Sequence, residues 1–198
     1  MIRVLAGQVR TVLRQICIAL IAWYAAIASA DSIQIHNAGL EAADTRYVLY
    51  ADCRLELSPP LLEALNNGMA LSFLVEFELT RPRWYWFDEK TAAETLELRL
   101  AYLPLAQQYR LSSGTMHQNF TSISEALAAL GTVYGWPVLD RERLDNGRKY
   151  VASVRIRLDT ARLPTPFRVS AVTNREWTLA SDWKRFPFTP LAPVQEAR

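Results

Sequence analysis

Apolar and polar residues alternate with a period of two along four long stretches of the chain. One side of each stretch is built mainly from Leu, Val, Ile, Phe or Tyr, and the other side carries mostly acidic, basic and hydroxyl residues. This pattern is typical of antiparallel strands with one face on a core and one face in water. The four stretches are residues 47–57, 71–80, 95–102 and 149–158. Weaker alternation predicts further strands at residues 32–36, 106–112 and 167–173.

A first helix is predicted directly after the first long strand. It begins at Ser58 and Pro59, because serine is favoured at the N-cap and proline at the first helical position. The turn-forming residues 66–68 end it.

A second helix is predicted from Ser122, where Glu125 stands three residues later as in a capping box. Apolar residues then recur at helical spacing as far as Tyr134, and we expect Gly135 and Pro137 to end the helix. These elements together predict a mainly β protein. The expected fold is an antiparallel β-sandwich of seven or eight strands, immunoglobulin-like in architecture, with two short helices.

The first thirty residues have the features of an export signal. Arg3, Arg10 and Arg14 precede an uncharged apolar run at 16–27, and small residues lead up to Ala30. We therefore expect cleavage after Ala30 and a periplasmic location. An uncleaved membrane anchor is the alternative, and it would be the only attachment to a membrane. The predicted organisation is a signal peptide at 1–30, one domain at 31–186 and a disordered, proline-rich tail at 187–198.

The charge of the chain depends on this leader. Removing its three arginines from 22 basic side chains leaves 19, against 20 acidic ones. A nucleic-acid-binding protein needs a strongly positive surface, so this class is excluded. Acidic residues concentrate at 31–100 and arginines at 141–185, and we expect many of them to pair across the sheet.

The segment RPRWYWFDEK at residues 81–90 contains four consecutive aromatic residues. Four exposed rings would present more apolar surface than a monomer usually shows, so at least one pair is expected in the core. Alternation places Trp84 and Trp86 on one side and the other two rings opposite. Arg83 could stack on an outward ring, so Arg83, Trp84 and Trp86 form a candidate contact site.

No catalytic or metal-binding motif occurs in the sequence. The two histidines, His36 and His117, are far apart, and Cys53 has the phase of a buried apolar residue. We therefore expect no catalytic residue, metal or cofactor. The enzyme alternative is a hydrolase that uses His117 with Ser112 or Ser113.

The C-terminal third contains two distinctive segments, RIRLDTARLPTPF at 155–167 and WTLASDWKRF at 177–186. With the exported N-terminus and the chain length, they resemble the proteobacterial exported family called domain of unknown function 4390. The resemblance implies a secreted, non-enzymatic domain. Its genes often lie near a membrane sensor kinase of the nitrogen-regulation type, which suggests a role in envelope signalling. No functional residues are implied.

Two further features of this region bear on a site. Residues 163–166, with two prolines, predict a stiff, extended connector between strands. Trp177 and Trp183 would share a face if their segment formed one strand, either as core anchors or as part of a binding surface.

These observations favour a non-catalytic, periplasmic protein-interaction module whose partner is an envelope protein such as a membrane sensor kinase. Its candidate binding residues are Arg83, Trp84, Trp86, Trp177 and Trp183. The aromatic content supports an alternative, a carrier or chaperone for an apolar ligand held between the sheets.

Overall fold

The computed structural model describes residues 33–83, 85 and 89–190, which belong to one compact unit. The predicted leader and the candidate residues Trp84 and Trp86 lie outside the described residues. Among the described helices, none combines the length and the apolar character needed to cross a membrane.

Nine strands and three α-helices make up this part of the chain. The strands are β1 (Ile33–Ala43), β2 (Arg46–Leu55), β3 (Leu71–Arg81), β4 (Glu89–Leu103), β5 (Gln108–Ser113), β6 (Met116–Phe120), β7 (Thr132–Asp140), β8 (Tyr150–Leu158) and β9 (Lys184–Phe188). The helices are α1 (Pro59–Asn66), α2 (Ile123–Gly131) and α3 (Thr165–Thr173). Short 3₁₀ turns lie at Arg141–Arg143, Thr160–Arg162 and Arg175–Trp177.

The strands form two antiparallel sheets. The smaller sheet has the order β1-β2-β7, and the larger sheet has the order β6-β5-β4-β3-β8-β9. The predicted mainly antiparallel β fold is therefore confirmed. The immunoglobulin-like arrangement is not confirmed, because the strands divide into three and six, whereas an immunoglobulin constant domain divides four and three.

The core lies between the apolar faces that alternation predicted. On β3, the central strand of the larger sheet, Phe73 and Phe77 are fully buried, while Glu76 between them faces outward and is only half-buried. Inward-facing residues of β4 and β8 in the larger sheet join those of β1, β2 and β7 in the smaller sheet. Together with β3 they form one continuous apolar cluster. Removing this apolar surface from water is the main stabilising contribution to such a fold.

Helix α2 begins as its capping box predicts, since the Glu125 amide donates to Ser122 Oγ at 3.2 Å. The helix ends at Gly131, four residues before the expected stop at Gly135, and this boundary was predicted wrongly. Residues 132–140 instead form β7. Gly135 there has φ of +69°, and the pairing of β7 with β2 shifts register near it. A glycine and a proline that suggest a helix end are also tolerated at an irregular sheet edge.

The prediction for residues 163–173 was wrong. They form a bend and helix α3 instead of an extended connector and a strand. Pro166 lies in the first turn of α3, where a missing amide hydrogen costs nothing. The free edge of β8 is already occupied by β9 and by Ala180, so this segment has no neighbouring strand on which to pair.

The boundary of the predicted C-terminal tail also shifts. Pro187 and Phe188, which we assigned to the tail, lie in β9 opposite Val151 and Tyr150. Pro190 is buried, and its carbonyl accepts a hydrogen bond from the Gly147 amide.

Gly131 is required where α2 meets β2. A Cβ atom at this position would lie 2.0 Å from the Cys53 backbone oxygen, which is fixed in its strand. We expect Gly131→Ala to lower the free energy of unfolding by about 2–3 kcal/mol, measured by urea denaturation. Ala128→Ser, on the exposed side of the same helix, serves as the control and should cost less than about 0.5 kcal/mol. Equal urea midpoints for the two variants would contradict this contact.

Candidate functional site

A surface cleft of about 640 Å³ lies between α1, the segment just before β3, β4, α3 and the 3₁₀ turns Thr160–Arg162 and Arg175–Trp177. We call it the Trp177 cleft. Its lining combines three large apolar side chains with charged ones. They are Met69, Phe167, Trp177, Glu63, Arg99 and Arg162.

The apolar side of the cleft is an aromatic pair. The ring centroids of Phe167 and Trp177 are 4.8 Å apart, with planes tilted by 33°. Both rings are half-buried and pack against the core, so each keeps one part in contact with solvent. Trp177 was predicted as a candidate, and the structure places it on a surface that a ligand can reach.

The turn that carries Trp177 is fixed by a distant residue. Ser58 occupies the N-cap position of α1 as predicted, but its hydroxyl makes no capping bond and instead donates to the Glu176 carbonyl at 2.5 Å. This bond joins residues 118 positions apart in the chain. The aromatic side of the cleft is therefore held against α1, and little reorganisation is needed when it binds something.

The charged side of the cleft contains two arginines with different surroundings. Arg162 forms ion pairs with Glu97 at 2.7 Å and with Asp159 at 3.5 Å. Arg99 is exposed on β4, and within the described part of the chain its side chain has no ion pair or hydrogen bond. The cleft therefore offers an apolar surface beside a cation that is available to a ligand.

Trp183, the second predicted tryptophan, does not share a strand face with Trp177. It lies just before β9, and the Arg155 guanidinium stacks over its ring with Cζ 4.6 Å from the centroid. Such cation–π contacts are stabilising when partly desolvated. Trp183 is therefore part of the outer face of the larger sheet and does not line the Trp177 cleft.

Glu76 is the most enclosed acid of this outer face. It accepts hydrogen bonds from Arg155 and from Arg157, whose Nε and Nη2 lie 3.0 and 2.9 Å from Glu76 Oε1. Loss of solvation alone raises the pKa of Glu76, but the hydrogen bonds and charges of the two arginines outweigh it and lower the pKa overall. The predicted pairing of early acids with late arginines is confirmed here.

Arg83, another predicted candidate, lies at the connection between β3 and β4. Arg83 and Arg81 both bind the Glu89 carboxylate. The hydrogen bond from Arg83 lowers the pKa of Glu89, and Arg81 adds to this effect against the opposing effect of lost solvation. Tyr85 in the same connection is exposed. Arg83 is thus part of an ion-pair cluster between β3 and β4, and it does not line the Trp177 cleft.

The candidates for covalent chemistry have surroundings that do not activate them. Cys53 is buried as predicted, and burial, with a smaller contribution from Asp52, raises its pKa to about 12. Its thiolate is therefore scarcely populated at neutral pH. His117 stands opposite Ser112 on the β5–β6 hairpin, but in the described structure no hydrogen bond joins them and no carboxylate orients the histidine. The described residues hold no group of three or more potential metal ligands.

Sequence reasoning missed Met69, Arg99 and Phe167 as parts of a site. Arg99 was read only as a polar position of a strand, and Phe167 was assigned to a strand that does not form. These three residues meet because α1 and α3 pack beside the segment that precedes β3, and no local sequence pattern shows this packing.

The comparisons with known proteins give one result. The family model described as Domain of unknown function (DUF4390) matches residues 30–187. The chain belongs to the DUF4390 family. Neither a curated protein nor a solved structure matches the chain. The match covers β1 to most of β9 in this DUF4390 chain, and therefore includes every residue of the Trp177 cleft.

The low pKa of Glu76 makes stability depend on pH. A lowered pKa contributes stability that is fully present above the unfolded-state value of about 4.3 and is lost as pH falls through the lower folded-state value. We expect Glu76→Gln to cost about 1–2 kcal/mol at pH 7, and the difference from wild type to shrink below about pH 4.

The measurement is urea unfolding at pH 7, 5, 4 and 3. Glu78→Gln is the control on the same strand. Glu78 and its partner Lys90 are more exposed than Glu76 and Arg155, and such exposed pairs contribute less than about 1 kcal/mol. A Glu76→Gln deficit that stays constant from pH 7 to pH 3 would show that the charge of this carboxylate is not stabilising.

Proposed function

We propose that this chain is an exported, non-catalytic domain that binds another protein of the cell envelope through the Trp177 cleft. The observation that carries the proposal is the combination of the Phe167–Trp177 pair with the available cation of Arg99 in one open cleft. Aromatic side chains and arginine are the residues most enriched in the energetically important parts of protein interfaces.

The architecture supports binding through a preformed surface. The cleft is lined by parts of two helices, a strand and two 3₁₀ turns, and the Ser58–Glu176 bond holds one helix and one turn together. Sites built on fixed elements lose less conformational entropy on association than sites on free loops. An open cleft also suits a protruding segment of a protein.

Export is supported by the features of residues 1–30, namely a basic start, an apolar run and small residues before Ala30. A membrane sensor kinase is the first partner to test, since a signalling role was the expectation attached to this family. The periplasm is the compartment in which such a protein would meet the sensor's external domain.

The two alternatives gain less support. The carrier needs space between the sheets, whereas Phe73, Phe77 and Leu49 fill the interior with fully buried side chains. The hydrolase needs an activated hydroxyl, and among the described residues no side-chain hydrogen bond joins His117 to Ser112 or to Ser113. If a His117→Ala variant complements every phenotype of a deletion strain, the hydrolase alternative is rejected.

The proposal predicts that the partner is lost when the cleft loses its aromatic side. The tagged full chain is expressed in its native host, cross-linked in intact cells and purified, and the attached proteins are identified by mass spectrometry. We expect Trp177→Ala to reduce recovery of the specific partner about ten-fold or more, because truncation of an interface tryptophan commonly costs at least about 2 kcal/mol. Tyr134→Ala, an exposed aromatic residue on β7, is the matched control.

Thermal unfolding separates loss of binding from loss of folding. If Trp177→Ala is unstable, Met69→Lys tests the same cleft from its other side. Full recovery of the same partner with folded Trp177→Ala or Met69→Lys rules out the cleft as the binding surface.

A further inference from the structure

A second cleft, of about 740 Å³, lies on the outer face of the larger sheet over β4 and β5. We call it the Arg99–Arg110 cleft. Arg99 belongs to this cleft and also to the Trp177 cleft, so the two are neighbours. The side chains that matter for the argument are Arg99, Arg110, Ala101, Ser112 and Glu97.

Strand register fixes the two arginines on one face. Arg99 pairs with Ser112, and Ala101 pairs with Arg110, so the arginines are diagonal neighbours with small residues opposite each of them. Diagonal residues on adjacent antiparallel strands are about 7–8 Å apart. The small partners leave room above the sheet between the two guanidinium groups.

Among the described residues, neither arginine of this cleft is paired with an acid. Arg110 donates only to the neutral Asn119 side chain, at 3.0 Å, and Arg99 has no polar partner among the described residues. Elsewhere on the same face, Arg155 and Arg157 are both paired with Glu76.

Glu97, the acid that lines this cleft, is already engaged. Its carboxylate lies 2.7 Å from Arg162, a residue outside this cleft, and is paired with that arginine instead of with Arg99 or Arg110. A guanidinium binds a carboxylate through two parallel N–H···O hydrogen bonds, so each of the two arginines can take one carboxylate.

We propose that the Arg99–Arg110 cleft binds an extended acidic segment of the partner protein that carries two carboxylates two residues apart. In an extended chain, residues i and i+2 point to the same side and lie about 6.8 Å apart. This spacing matches the separation of the two arginines. The proposal rests on the proposed function, because it specifies the partner's chemistry.

The shared position of Arg99 extends this recognition. An acidic segment bound by Arg99 and Arg110 brings its neighbouring residues to the entrance of the Trp177 cleft. An apolar side chain close to the acidic pair would then contact Met69, Phe167 and Trp177. The complete recognition element is therefore an acid–any residue–acid sequence next to a large apolar residue.

The test uses short synthetic peptides with blocked ends and a fluorescent label, titrated with the purified protein at low salt. One peptide carries Glu-Thr-Glu, one carries Gln-Thr-Gln, and one carries the two glutamates adjacent, with the composition otherwise unchanged. We expect saturable binding of the first peptide, at least five-fold weaker binding of the third, and none of the second. Equal binding of the first and third peptides would contradict recognition by two spaced arginines, as would absence of saturable binding up to 1 mM.

Variants assign the binding to the cleft. Arg99→Gln and Arg110→Gln should each weaken the first peptide about five-fold, which corresponds to about 1 kcal/mol. Arg185→Gln removes the same charge from the opposite edge of the sheet and should change the dissociation constant less than two-fold. Glu97→Gln should tighten binding by removing the one acid of the cleft. Unchanged binding by both arginine variants at the cleft, or equal loss in all three arginine variants, would overturn the assignment.

A parallel titration with vesicles that contain one third anionic phospholipid separates a peptide from a membrane surface. Vesicle binding that depends on Arg99 and Arg110, without peptide binding, would overturn the peptide assignment in favour of lipid. The proposed function fails separately, since it is tested by partner recovery with Trp177→Ala. Partner recovery that depends on Trp177 but persists in Arg99→Gln and Arg110→Gln would leave the proposed function intact and reject the acidic segment.

Discussion

The structure depends on the burial of one face of β3. This strand pairs with β4 on one side and β8 on the other, and its inward residues Phe73, Val75 and Phe77 are almost wholly removed from water. Its outward face carries Glu76, which two arginines of β8 satisfy. Burial on one side and ion pairing on the other fix the register of the three strands, because a shift of one residue would exchange the two faces.

This constraint gives the outer face its distribution of charge. The register that places Glu76 beside Arg155 uses the positive charge of β8, while the register of β4 and β5 leaves Arg99 and Arg110 with no acid. Arg99 and Arg110 therefore form a positively charged site beside the Trp177 cleft, whereas Arg155 and Arg157 share the Glu76 carboxylate. The cleft itself is assembled where α1 and the turn before Leu179 close over that end of the sheet.

The sequence predicted the parts of the fold that depend on local patterns. Alternation identified β2, β3, β4 and β8, because each has one buried and one wet face, and the N-terminal signals located the start of α1 and α2. Weak alternation at 167–173 predicted a strand, but this segment has no neighbouring strand on which to pair and forms α3. Gly135 and Pro137 predicted a helix end, but they lie at an irregularity of β7.

The site was less predictable than the fold. Trp177 was predicted as a candidate together with Trp183, and Arg83 was predicted in a separate segment, but neither Trp183 nor Arg83 lines the Trp177 cleft. The diagonal placement of Arg99 and Arg110 depends on strand register, and the contact between Ser58 and Glu176 depends on packing between residues 118 positions apart. Both are properties of the tertiary structure, and a single sequence does not encode them in a readable pattern.

Hydrogen–deuterium exchange, measured with and without the captured partner, tests the central claim most directly. The account predicts that amides of β3 exchange only through global unfolding in the free protein, because this strand is paired on both sides and its inner face is buried. On binding, new protection should appear at 97–112 and 162–177, and β1 and β7 should be unaffected. Rapid exchange along β3, or protection confined to the smaller sheet, would contradict an account in which a rigid larger sheet presents the binding surface.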